Sequence, residues 1–134
     1  QAQRLLGRPA ALYGTVVRGA SRGRRLGFPT ANIRLIPQVL PPRGVYAVLV
    51  RSARRQWGGV MNLGVRPTFG PGPLVCEAHL LGFSGSLRGR SLSVALLGRL
   101  RSERRFSNPQ ALLRQVRRDL ARARRLFQRL RVSS

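Results

Sequence analysis

The chain has 134 residues, 43% of them hydrophobic, which is enough for one domain with a core of its own. Its charge is lopsided: 26 basic residues, all arginine, stand against three acids, Glu77, Glu103 and Asp119, for a net charge of +23. A lone Cys76 and a lone His79 exclude an internal disulfide and a His-pair zinc site, and no apolar run approaches the roughly 20 residues of a membrane span.

Residues 1–10 read as a lead-in that Pro9 stops from continuing as a helix. A first strand follows at about 11–18, built on the apolar run Leu12 to Val17. From there to Asn32 the chain interleaves Gly19, Gly23 and Gly27 with arginines and ends on Pro29-Thr-Ala-Asn32. Glycines let backbone N–H groups converge on an anion, and Arg24 and Arg25 offer counter-charge, so this stretch reads either as a phosphate-handling loop or as an exposed turn of a basic protein. Thr30 and Asn32 sit two apart; in an extended segment both side chains leave one face and offer neutral oxygens, a donor set suited to Mg²⁺ carried in on phosphates.

Ile33 to Ile36 adds a short extended piece, and Leu40-Pro-Pro-Arg-Gly44 forms a stiff turn into a strand at 44–51 that is apolar on both faces. A polar turn at 52–56 and a returning arm at 57–63 make a hairpin. Residues 64–73 hold three glycines and three prolines and read as a long mobile loop. Strands at 74–81 and 91–100, joined by a Gly- and Ser-rich connection, complete a set of short strands whose spacing implies an antiparallel barrel or sandwich.

Only the C-terminus changes period. Ser107 and Asn108 offer an N-cap, Pro109 fits the first helical position, and Gln110 completes a capping box if Ser107 is the cap. Leu112, Val116, Leu120, Ala123, Phe127 and Leu130 then form one apolar stripe on a helix of about six turns. That stripe is either a seam packed on the strands or one face of a basic amphipathic helix for membrane or nucleic acid. The local rule pairs Asp119 with Arg122.

On the strand 74–81, alternation puts Val75, Glu77 and His79 on one face and Cys76, Ala78 and Leu80 on the other. A carboxylate in an apolar strand is costly unless it is paired or used, so Glu77 is either an arginine's partner or a general base for phosphoryl transfer to a hydroxyl. Cys76 and His79 read as core-filling residues. In the segment 101–106, Arg101, Arg104 and Phe106 could hold an anion and cover an aromatic ring, or form an ordinary charged turn. The +23 field would attract any polyanion, and nonspecific nucleic-acid binding at low salt follows from it. Arginines scattered from Arg4 to Arg131, with only 6% aromatic residues, mark much of that charge as compositional background.

The stretch Val16 to Asn32 closely resembles the signature of the riboflavin kinases, which phosphorylate riboflavin to FMN. Further matches follow in order: Leu40-Pro-Pro-x-Gly-Val-Tyr46, Gly59-Val-x-Asn-x-Gly-x-Arg-Pro-Thr-Phe69, Glu77-x-His-Leu-Leu81 and Leu100-Arg-x-Glu-x-x-Phe106. Arg4 to Pro9 resembles the junction that joins the adenylyltransferase and kinase modules of bacterial bifunctional FAD synthetases. The resemblance implies a six-stranded antiparallel Greek-key barrel with one C-terminal helix, a kinase domain at 11–134, and a linker at 1–10 from a missing adenylyltransferase module. It implies an enzyme with ATP as co-substrate and Mg²⁺ as cofactor, and the lone Cys76 makes a cytoplasmic setting the default. Glu77 matches the catalytic carboxylate, and Thr30 and Asn32 match the Mg²⁺ pair. Gly19, Gly23, Arg24, Arg25, Leu80, Gly82 and Arg88 fall on the ATP side, while Arg101, Arg104 and Phe106 fall where flavin is held. Gly82 stands where many bacterial members carry Asp, Arg88 where a Tyr is common, and Ala10 where a Tyr follows Gly-Arg-Pro; the loss of a ring at 88 weakens the expected packing on adenine. The rival expectation is a non-catalytic basic barrel that binds RNA.

Overall fold

The computed structural model of the chain describes residues 11–17, 30–65, 74–83, 86–104, 106 and 108–133. Six strands come first, β1 (Ala11–Val17), β2 (Thr30–Leu35), β3 (Gly44–Ser52), β4 (Arg55–Val65), β5 (Leu74–Leu80) and β6 (Ser91–Arg101), and one helix, α1 (Pro109–Ser133), follows. The strands close into an antiparallel barrel in the order β1-β2-β5-β4-β3-β6. Hairpins join β3, β4 and β5 in sequence, while the chain crosses over from β2 to β3 and from β5 to β6. The alternative of an open sandwich is thereby closed.

Alternation sorts each strand between two cores. Leu12, Val16, Ala31, Ile33, Val48, Met61, Leu63, Cys76, Ala78, Leu80, Val94 and Leu96 point inward and fill the barrel. Val45, Ala47 and Val60 point outward and meet Val116, Leu120 and Ala123 of α1. This second core is the reason β3 is apolar on both faces, and it shows the helical stripe to be a seam on the barrel. The Phe127 ring packs directly over Gly58, where an added Cβ would lie 2.5 Å from a ring carbon. The exposed face of α1 carries Arg114, Arg117, Arg118, Arg122, Arg124, Arg125 and Arg129.

Two local details depart from the sequence reading, and a third settles an alternative it left open. The β2 strand begins at Thr30, two residues before the expected end of the Gly/Arg loop. The hairpin turn is shorter than expected, since pairing runs to Ser52↔Arg55 and leaves Ala53, at φ 52°, and Arg54 to reverse the chain. At the helix start Asn108 is the cap: its Oδ1 accepts the Ala111 N–H at 2.8 Å. Ser107 lies outside the described residues, as do the side chain of Leu130, the segment 1–10, residues 18–29 of the Gly/Arg stretch and most of the loop at 64–73.

Candidate active site

Cross-strand register, more than sequence proximity, builds the site. On the outer surface of the barrel Asn32 of β2 pairs with Glu77 of β5, and Glu77 pairs with Asn62 of β4. The same row runs on through Val45 of β3 to Arg101 of β6, and Val17, the last residue of β1, pairs with Asn32 at its other end. A parallel row sets Thr30 beside His79 and His79 beside Val60. Because Ala31 and Ile33 point into the barrel, Thr30 and Asn32 both face out, on the face that carries Glu77. Same-face partners on adjacent strands have their Cβ atoms about 5 Å apart, so Asn32 and Asn62 bracket the Glu77 carboxylate.

Glu77 is only partly covered, with a side chain 20% exposed, and its Oε1 lies 3.5 Å from His79 Nε2. That separation exceeds a good hydrogen bond. Inside the barrel wall, burial and then the Glu77 charge push the Cys76 thiol up to about 12, so Cys76 fills the core as expected and is no nucleophile. His79 does not fill the barrel core. It faces outward beside Glu77, where burial pushes its imidazole from 6.5 down to about 4 against the opposing pull of the Asp119 carboxylate. Between those values the unfolded chain binds a proton that the folded chain resists, so stability falls as pH drops from about 6.5 towards 4. Urea midpoints measured across that window should decline for the native chain and change less for His79→Gln.

At the far end of the row three expected residues come together. The guanidinium carbons of Arg101 and Arg104 lie 5.8 and 5.4 Å from the centroid of the Phe106 ring. Arg101 is also held from below: its Nε donates to Asp119 Oδ1 at 3.0 Å, its Nη2 to Oδ2 at 2.8 Å, and its Nη1 to the Ser102 carbonyl at 3.1 Å. Asp119 is buried and accepts a further bond from Gln115 Nε2 at 3.0 Å. The local expectation of an Asp119–Arg122 pair is corrected here, since Arg122 donates to the Leu100 carbonyl at 2.8 Å. With most of its donors engaged, Arg101 supports Phe106, and Arg104 is the exposed cation of the group.

The residues expected on the ATP side are spread differently. The Leu80 side chain lies in the barrel interior, where the strand's alternation puts it, so only its backbone faces other groups. Gly82 sits just beyond β5 at φ +68° with open space where a side chain would go. That backbone favours Gly and tolerates Asp better than most residues, which accounts for the departure from Asp at 82. We expect Gly82→Ala to cost about 1 kcal/mol, read as a lower melting temperature, because the strain is in the backbone alone. Arg88 is exposed in a turn whose Gly89 N–H donates to the Val16 carbonyl at 2.9 Å, beside the point where β1 gives way to the Gly/Arg loop. Gly19, Gly23, Arg24 and Arg25 lie outside the described residues.

A family model for riboflavin kinase matches residues 6–127. The chain belongs to the riboflavin kinase family. It is 45% identical over 126 residues to the bifunctional riboflavin kinase/FMN adenylyltransferase of Pseudomonas fluorescens, an alignment that takes in 93% of this chain and 40% of that protein. The chain therefore spans about two-fifths of the length of the curated relatives it matches. Among solved structures, a Streptococcus pneumoniae chain described as a macrolide-efflux protein superposes with a TM-score of 0.81 at 33% identity, over 88% of this chain and 39% of that one. The riboflavin kinase of Trypanosoma brucei shares the fold at a TM-score of 0.57 and 24% identity, over 88% and 76%.

For a riboflavin kinase the donor set on this face is informative. Among the described residues no cluster of three or more His, Cys, Asp or Glu side chains could hold a metal on its own. Thr30 and Asn32 offer neutral oxygens with one carboxylate, Glu77, beside Asn32. Such a set fits a hydrated Mg²⁺ that brings its charge balance with a nucleotide, and fits poorly a metal caged by protein alone. Two features went unassigned in the sequence. Asn62 stood in a matched string without a role, and the Glu103 carboxylate lies directly over Gly64, two residues along β4. Alternation along β4 could have flagged Asn62 as Glu77's neighbour, but only once the register was known.

Proposed function

We propose that this chain transfers the γ-phosphoryl group of ATP to the 5′-hydroxyl of riboflavin, giving FMN and ADP. The observation that carries the reading is the placement of Glu77: a partly covered carboxylate between two amides, on a row that runs from the Thr30–Asn32 pair to the Arg101–Phe106 group. The Glu77 carboxylate takes the proton of the ribityl 5′-hydroxyl as that oxygen bonds to the γ-phosphorus. The bond from phosphorus to the bridging oxygen of ADP breaks in the same displacement, and the proton ends on Glu77.

Thr30 and Asn32 would hold Mg²⁺, which when bound offsets the phosphate charge. Gly19, Gly23, Arg24 and Arg25 would cradle the phosphates, with Gly82, Arg88 and the Leu80 backbone nearby. Phe106 and Arg104, whose guanidinium carbon lies 5.4 Å from the centroid of that ring, would hold the flavin ring. The proposal extends to a kinase module at 11–134, reached through residues 1–10 from an adenylyltransferase module, in the cytoplasm. Among the described residues no helix is long and apolar enough to cross a membrane.

The test is direct. The chain incubated with riboflavin and Mg-ATP should yield FMN on chromatographic separation of the flavins, and a chelator of divalent cations should stop it. Riboflavin recovered unchanged with both substrates saturating would refute the proposal.

A further inference from the structure

The outward positions of β4 between 58 and 64 are almost completely covered. Gly58 lies under the Phe127 ring, Val60 is buried against α1, and Gly64 lies beneath the Glu103 carboxylate. Asn62 is the exception: it is exposed, it sits at the centre of the strand, and it is Glu77's cross-strand partner. Asparagine is a poor strand former, and this exposed one stands beside Glu77 on the β4 side. On the opposite side Asn32 adjoins Val17, where the Gly/Arg loop departs. The row thus has a direction. Phosphate-suited groups lie on the β2 side of Glu77, and the Phe106 ring with its arginines lies beyond Asn62.

We infer that Asn62 is a specificity residue for the acceptor, hydrogen-bonding the hydroxyls of the substrate's polyol side chain between the base and the ring platform. The assignment rests on the riboflavin reading above. A carboxamide donates and accepts at once, as a hydroxyl does, and it adds no charge beside Glu77. A carboxylate there would repel Glu77, and an arginine would pair with it and compete for the substrate's proton acceptor. The chemistry recognised is therefore a neutral polyhydroxyl chain, and the flavin ring is read elsewhere.

The experiment compares two ligands by quenching of flavin fluorescence in the presence of Mg-ADP: riboflavin, and lumiflavin, which has the same ring with a methyl group in place of the polyol. Asn62→Ala should weaken riboflavin about tenfold, the size of one lost neutral hydrogen bond. Lumiflavin binding and the KM for Mg-ATP should stay within about twofold. Asn62→Ser, which keeps a donor and an acceptor, should recover part of the riboflavin affinity. Equal weakening of both flavins would make Asn62 merely structural, and no change in either would remove it from the site; both results overturn the inference. Intact riboflavin binding by the native chain without FMN formation would instead overturn phosphoryl transfer, leaving the comparison of the two flavins to decide on Asn62.

Discussion

Replacing Glu77 by glutamine should lower kcat about 10³-fold while leaving riboflavin affinity within a few-fold. Glutamine keeps the size and much of the hydrogen bonding of the side chain but cannot take a proton, and removal of a positioned general base costs about 10²–10⁴ in rate. The lower end applies where the phosphoryl group itself carries most of the transition-state charge, the upper end where proton removal must accompany attack. Chromatographic FMN assays over a range of riboflavin concentrations separate kcat from KM. If Glu77 were only an ion-pair partner, the variant would melt lower and turn over at a near-normal rate. Its position argues for a further role: the carboxylate is partly exposed and stands between Asn32 and Asn62, on the face that carries Thr30.

Asp119→Ala should have the largest effect on stability, about 2–3 kcal/mol, with a fall in melting temperature of roughly 7–11 °C for a chain of this size. Asp119 is 2% exposed at its side chain and accepts from Arg101 through two nitrogens, so its removal strands a guanidinium that was matched in both charge and geometry. The loss stays below that of a fully buried pair because Arg101 is 19% exposed and can rehydrate. Asp119→Asn, which still offers an acceptor oxygen, should cost about half as much. Scanning calorimetry measures both. Because Arg101 supports the Phe106 ring, the alanine variant should also bind riboflavin more weakly, which a purely remote helix contact would not produce.

Much of the architecture was legible because it depends on short-range pattern. Alternation placed Glu77 and His79 on one face and Cys76, Ala78 and Leu80 on the other, and the three-and-four spacing from Leu112 to Phe127 traced the helical stripe that the fold then makes a seam. Asn108 and Pro109 marked its start. What failed were features set by partners distant in sequence. Asp119 looked along its own helix and found Arg122, whereas its partner Arg101 lies 18 residues away on β6. Alternation assigns faces to strands but says nothing of their order, so the pattern alone left barrel and sandwich open; the family resemblance implied the barrel, and β1 pairing with both β2 and β6 bears it out. Thr30 and Asn32 could be set on one face only on the condition that their segment was extended; glycine, arginine and proline upstream made it look like loop, and pairing with β5 makes it strand. The row from Asn32 through Glu77 to Asn62 was invisible for the same reason. It joins three strands, and its members are separated by 45 and 15 positions, 77 − 32 and 77 − 62.

The central claim is that Glu77 acts in the phosphoryl-transfer step. Rapid-quench measurement of the first turnover tests it most directly, with the native chain and Glu77→Gln each preloaded with riboflavin and mixed with saturating Mg-ATP. The account predicts that the native chain forms FMN rapidly and that the variant, binding both substrates, forms it about 10³ times more slowly in that first turnover. A first turnover of equal speed in the two proteins would contradict it.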